Sequence, residues 1–154
     1  MKNSIITKDF LASLIIERLR TAMPAAKAQY EDSKDRIGYF FVDDVLPDDI
    51  AAAIDNAFPK PEEMSLNKSL REHKHIAAQM DRYHPLLEEA IYAFQDAKVV
   101  SLVQSICEID ILEPDTHLYA GGISTMRKGQ FLNPHLDNSH DKDRNRWRVL
   151  NLLY

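Results

Sequence analysis

Over the first part of the chain the apolar positions recur with the period of a helix. From Thr7 to about Met23, Phe10, Leu11, Leu14, Ile15 and Leu19 fall on one face, and Thr7 or Ser4 can cap the first turn through a side-chain oxygen. An amphipathic helix in a supporting role is expected here. The chain then turns polar through Asp35, which reads as a mobile stretch. IGYFFVDDVL, residues 37–46, has the aromatic and β-branched content of a short strand. Pro47 opens DDIAAAIDNAF, a helix with acidic residues in its first turn, where the macrodipole favours them. Residues 59–67 are punctuated by prolines and read as a loop with a short strand around Met64. HPLLEEAIYAFQ places Leu86, Leu87, Ala90, Ile91 and Phe94 on one helical face. DAKVVSLVQSICEI does the same with Val99, Val100, Leu102, Val103 and Ile106.

After Pro114 the texture changes. THLYAGGISTM, FLNPHLD and RWRVLNLLY are short β-branched or aromatic runs separated by Gly, Asn and Asp, the signature of antiparallel strands. In RWRVLNLLY, Val149, Asn151 and Leu153 would share one face, and Leu150, Leu152 and Tyr154 the other. Helices first and strands later predict an α+β domain over residues 1–154: a mainly helical support region over 1–113, with a strand near 37–46, and the first strands of a sheet or barrel over 114–154. An apolar terminal strand left unpaired would be an aggregation hazard, so the 154 residues are expected to be the front part of a longer polypeptide.

Composition narrows the function classes. Nineteen Lys plus Arg against 24 Asp plus Glu give a formal charge of −5 with both signs intermixed, unlike the concentrated basic face of a nucleic-acid binder. Cys107 is the only cysteine, so a disulfide framework and a Cys-rich zinc site are excluded, and a reducing cytoplasm is the expected setting. The apolar run near the N-terminus is interrupted by Asp9, Glu17, Arg18 and Arg20, so no signal or membrane span is expected there. Oligomeric state is left open, a homo-oligomer included.

The chemistry concentrates in FLNPHLDNSH, residues 131–140. In an extended segment, residues two apart share a face, so His135 and Asp137 would point together while Leu136 points away. An imidazole nitrogen and a carboxylate oxygen both reach a divalent metal at about 2.0–2.2 Å, and one ion can be chelated between them. The alternative for an isolated His-x-Asp is a hydrogen-bonded surface pair.

In its wider setting, LYAGGISTMRKGQFLNPHLDNSHDKDRNRWRVLNLLY, the motif resembles the first half of the catalytic double-stranded β-helix, a jelly roll, of the iron(II)- and 2-oxoglutarate-dependent dioxygenases, in their prolyl-hydroxylase-like branch. The match covers roughly residues 116 to 154, and the preceding helices with IGYFFVDDVL are similar to that branch's support region. The resemblance implies that His135 and Asp137 belong to a 2-His-1-carboxylate facial triad that binds Fe(II), leaving positions open for 2-oxoglutarate and molecular oxygen. It implies hydroxylation of a small-molecule or peptidyl substrate, with no catalytic residue beyond the metal ligands. The family's distal histidine, and the Arg or Lys that anchors 2-oxoglutarate, would lie several dozen residues past the His-x-Asp, beyond Tyr154. His140, three residues past Asp137, is a poor substitute.

Tyr119, on the run preceding the motif, is a candidate 2-oxoglutarate contact or a core tyrosine. Asn151, polar within an apolar run, is a candidate cosubstrate contact or a structural hydrogen-bonding group. Arg146 and Arg148 are expected to pair with Asp141 or Asp143. His73, His75 and His84 are read as surface residues on helices or loops, and His117 as the start of a strand. DNSHDKDRNR, residues 137–146, reads as a polar loop beside the site, suited to substrate selection or to a plain hairpin connection. Two other readings stand beside the dioxygenase: a non-catalytic interaction module with an incomplete metal site, and a cupin-like metal protein with a different cosubstrate.

Overall fold

A computed structural model describes residues 6–119 and 121–154. The chain is α+β, with four helices and a small antiparallel sheet of four strands among those residues. It divides into two units: the residues up to Phe58 with His84–Pro114, and Pro59–Tyr83 with Asp115–Tyr154. Among the described residues no helix is long and apolar enough to cross a membrane.

The first unit is helical. Helix α1 (Lys8–Ser33) is capped by Thr7, whose hydroxyl accepts from the Phe10 amide; Ser4, the other cap candidate, lies outside the described residues. α1 runs well past Met23, the expected end, and includes the stretch expected to be mobile. Pro24 withholds an N–H from the helical ladder, but the buried stripe continues because Ala12, Leu19, Ala26 and Ser33 recur at seven-residue spacing. Helices α2 (Asp48–Asn56), α3 (Pro85–Phe94) and α4 (Ala97–Cys107) follow their sequence patterns, and α1 packs against both α3 and α4.

His84 caps α3 through Nδ1, which accepts from the Leu86 amide at 3.2 Å, and Asp96 caps α4. Leu11, Ile15, Leu87, Val99 and Ile106 are the largest fully buried side chains, each contributing about 1.5–3 kcal/mol of hydrophobic burial. Cys107 is buried beside them; desolvation pushes its thiol up, which suits packing and not nucleophilic chemistry.

Residues 37–46 do not form the expected strand. The Tyr39 amide donates to the Ser33 hydroxyl at 2.9 Å. The Phe41 amide donates to the Gln29 side-chain carbonyl at 3.1 Å, and the Gln29 amide donates back to the Phe41 carbonyl at 3.3 Å. Farther along, the Arg18 guanidinium donates to the Asp43 carbonyl. Side chains of α1 thus take the place of a neighbouring strand.

The second unit is built around β2. Strands β1 (Ser65–Lys68) and β2 (Glu72–Ala77) form a hairpin, with Ser65 opposite Ile76 and Lys68 opposite His73, closed by a turn in which the Ser69 hydroxyl accepts from the Arg71 and Glu72 amides. This hairpin lies within the hundred residues expected to be mainly helical, and it places His73 and His75 on a strand, not on a helix or loop.

On the other edge of β2 run β3 (Ile123–Thr125) and β4 (Phe131–Leu132). Thr125 faces His75 and Phe131 faces His73, four residues later than an unbroken strand would allow. β3 and β4 are therefore one interrupted strand, and the excess is taken up by a turn in which the Gln130 amide donates to the Arg127 carbonyl and Gly129 has φ 86°. Gly122 is required at the entry to β3: its φ is 120°, and a Cβ there would sit 2.4 Å from the Ala77 carbonyl oxygen.

Two expected strands are shorter than their sequence suggests. Among the described residues the strand within FLNPHLD is Phe131–Leu132, and RWRVLNLLY makes one bridge, Trp147 to His140. His117, expected to begin a strand, lies in a turn.

Candidate metal-binding pair

The geometry at residues 133–137 is set by how the chain leaves the sheet. Asn133 is held at the turn between β1 and β2: its amide donates to the Arg71 carbonyl at 2.8 Å, and its side chain donates to the Leu70 carbonyl at 2.9 Å. Pro134 then has no N–H to extend the ladder. His135 and Asp137 consequently lie on an irregular segment just past the strand end, not on the strand that the sequence suggested.

The two side chains nevertheless meet. His135 Nε2 lies 3.2 Å from Asp137 Oδ1, and His135 Nδ1 lies 2.7 Å from the Asn133 carbonyl oxygen. A carbonyl can only accept, so Nδ1 carries a proton and donates to it. The tautomer is thereby fixed, and the Nε2 position is directed at the carboxylate.

Asn151 donates through Nδ2 to the second carboxylate oxygen, Asp137 Oδ2. The Asn151 hydrogen bond is the largest influence on the Asp137 carboxyl and, against the opposing desolvation, holds it below the ordinary carboxylate value with the help of the Arg148 guanidinium and the His135 ring. The side chain of His135 is 22% exposed and that of Asp137 41%, so one flank of the pair is open to solvent.

A hairpin borders the site. The Arg148 amide donates to the Ser139 carbonyl and the Asp141 amide to the Arg146 carbonyl, leaving His140 and Trp147 as the closely spaced, non-hydrogen-bonded pair between them. Their rings stack at 4.0 Å between centroids. Asp141 turns the loop by accepting from the Asn145 and Arg146 amides, and Arg148 acts on Asp137, which differs from the expected pairing of Arg148 with Asp141 or Asp143.

Of the sequence-derived candidates, His135, Asp137 and Asn151 come together. Tyr119 is half exposed on the turn before β3, with no hydrogen bond linking it to the other three. His140 packs on Trp147 with its Nδ1 2.8 Å from the Ser139 hydroxyl. Sequence reasoning missed Asn133, whose carbonyl orients the imidazole, and the action of Arg148 on Asp137; the Asn-Pro step before the histidine was the one local signal for the former. Among the described residues no group of three His, Cys, Asp or Glu side chains is gathered for a metal. Comparison with family models, with curated proteins and with solved structures returned no match.

Proposed function

We propose that this chain carries an Fe(II)- and 2-oxoglutarate-dependent dioxygenase site in which His135 and Asp137 supply two of the metal ligands, and that its small sheet is part of a double-stranded β-helix. The observation that carries the reading is the relation between His135 Nε2 and Asp137 Oδ1, 3.2 Å apart with the far imidazole nitrogen already donating to a carbonyl. Two donors bound at about 2.1 Å in adjacent positions of an octahedron stand about 3 Å apart, so the pair fits a chelated cation of this size.

In this reading His135 presents a lone pair from an oriented ring, and Asp137 presents one oxygen while Asn151 holds the other in place. When bound, such a centre supplies the oxidant for hydroxylating a C–H bond, with 2-oxoglutarate leaving as succinate and carbon dioxide. Tyr119 is assigned a contact to 2-oxoglutarate, and the hairpin bearing Trp147 a role in choosing among small-molecule or peptidyl substrates. Among the described residues no third ligand is gathered with the pair.

The test is an anaerobic titration of the intact protein with Fe(II) and 2-oxoglutarate. A visible metal-to-ligand charge-transfer band is expected, abolished in His135→Ala. Absence of metal binding would refute the assignment. A second reading, an interaction module with an incomplete site, is favoured by the two-donor count among the described residues. It predicts weak metal binding with no charge-transfer band.

A further inference from the structure

Within the run expected to be a strand, residues 37–46, the backbone of residues 37–43 is bonded along one side only by side chains of α1. The N–H groups of Tyr39 and Phe41 and the C=O of Phe41 are bonded to Ser33 and Gln29 of α1, and the Tyr39 C=O lies 3.1 Å from the Ser33 hydroxyl. Residues two apart bonding toward the same side is the alternation of extended backbone, so the N–H and C=O groups of Gly38, Phe40 and Val42 point to the opposite side. Among the described residues no backbone partner meets them there, and they form an open edge. Beside that edge stand three large apolar side chains in solvent: Ile37 81% exposed, Tyr39 60% and Phe41 62%. The run ends at Asp44, whose φ of 53° turns the chain away.

We propose that this edge pairs with the same edge of a second copy of the chain, antiparallel, about a two-fold axis passing between the two Phe40 residues. The register follows from the open groups. With Phe40 opposite Phe40, Gly38 lies opposite Val42, and every outward N–H and C=O of these three residues finds its counterpart in the partner.

The intervening position sets Tyr39 against Phe41 of the second copy, in the closely spaced, non-hydrogen-bonded arrangement where aromatic pairs interact best. Charge selects the same alignment. Arg36 precedes the run, and Asp43 and Asp44 end it, so antiparallel pairing brings Arg36 beside the partner's acidic end. A parallel alignment would set Asp43 and Asp44 against their own copies. The bonds from Gln29 and Ser33 lie on the other edge and are left intact.

Sedimentation velocity on the full chain over a range of concentrations tests the proposal, with a reversible shift from 17.7 kDa to about twice that mass expected. Tyr39→Lys with Phe41→Lys places like charges across the axis and should weaken association at least tenfold. Tyr39→Glu with Phe41→Lys should restore it, because in this register each Glu faces a Lys of the other copy. Phe40→Pro removes the central donor without touching a bond to α1, and should also give monomer. Circular dichroism melts matching the parent chain show that the exposed substitutions leave the fold intact.

A parent chain that stays monomeric at every concentration overturns the proposal. So does a dimer indifferent to the paired lysines, which would lie elsewhere on the surface. Failure of the Glu/Lys combination to recover association overturns the register and with it the two-fold at Phe40.

Discussion

Asn151→Ala probes the candidate site without touching either proposed ligand. Asn151 donates to Asp137 Oδ2, the carboxylate oxygen that does not face His135, and it is the largest influence holding that carboxyl below its ordinary value. Removing it frees the carboxylate to rotate and takes away a charge-assisted hydrogen bond. Loss of such an outer partner costs about 10–100-fold in metal affinity, equivalent to about 1.4–2.8 kcal/mol. The lower part of that range applies because the Asp137 side chain is 41% exposed and water can replace part of the lost bond.

The assay is calorimetric titration with Mn(II) or Co(II), which avoid the oxidation of Fe(II), on the parent chain, Asn151→Ala and His135→Ala. The expected order of affinity is parent, then Asn151→Ala, then His135→Ala. The unfolding midpoint should be unchanged for Asn151→Ala, since that residue is exposed. An affinity unaltered by Asn151→Ala refutes its role in orienting Asp137. A loss exceeding that of His135→Ala would make Asn151 itself a ligand and refute the proposed set.

Gly122→Ala should unfold the second unit or lower its stability well beyond the about 1–3 kcal/mol of an unfavourable backbone conformation, because the added Cβ also meets the Ala77 carbonyl at 2.4 Å; loss of amide-exchange protection across β2 and β3 checks this. Leu87→Ala, at a side chain 1% exposed within the helical unit, should cost about 2–5 kcal/mol in chemical denaturation. Glu72, buried at the start of β2, is held below the ordinary carboxylate value first by Lys74, then by Asn67 and Arg71. A depressed folded value means stability that is present above the unfolded carboxylate range and lost as pH falls through the folded value, so Glu72→Gln should destabilise at pH 7 and converge with the parent chain in acid.

The helices were legible because their apolar stripes are strong: Leu86, Leu87 and Ala90 in α3, and Val99 and Ile106 in α4, are buried as their spacing implies. The continuation of α1 past Pro24 was not, since its buried positions there are Ala26 and Ser33, too small and too polar to register as a stripe. Strand β2 was hidden for a related reason. EHKHIA is polar along most of its length because most of its side chains are only half-buried, and a central position in this small sheet does not require an apolar run. Residues 37–46 carried strand composition correctly but met side chains of a helix where a strand was expected, and which partner accepts an extended segment is a tertiary fact that no local pattern contains.

The meeting of His135 and Asp137 was legible from their spacing, although the reason was different from the one the spacing suggested. Strand alternation does not bring them together; the exit at Pro134 and the grip of the Asn133 carbonyl on Nδ1 do. That grip has a chemical consequence which alternation alone would lack. With Nδ1–H committed to a carbonyl, a neutral His135 would turn a bare lone pair on Nε2 toward an ionised carboxylate 3.2 Å away, an arrangement of two acceptors. A cation shared between Nε2 and Asp137 Oδ1 resolves that opposition, because each acceptor then faces the metal and not the other. The carbonyl of Asn133 and the amide of Asn151 hold the two donors in place for it from either side, which an accidental surface pair would not require.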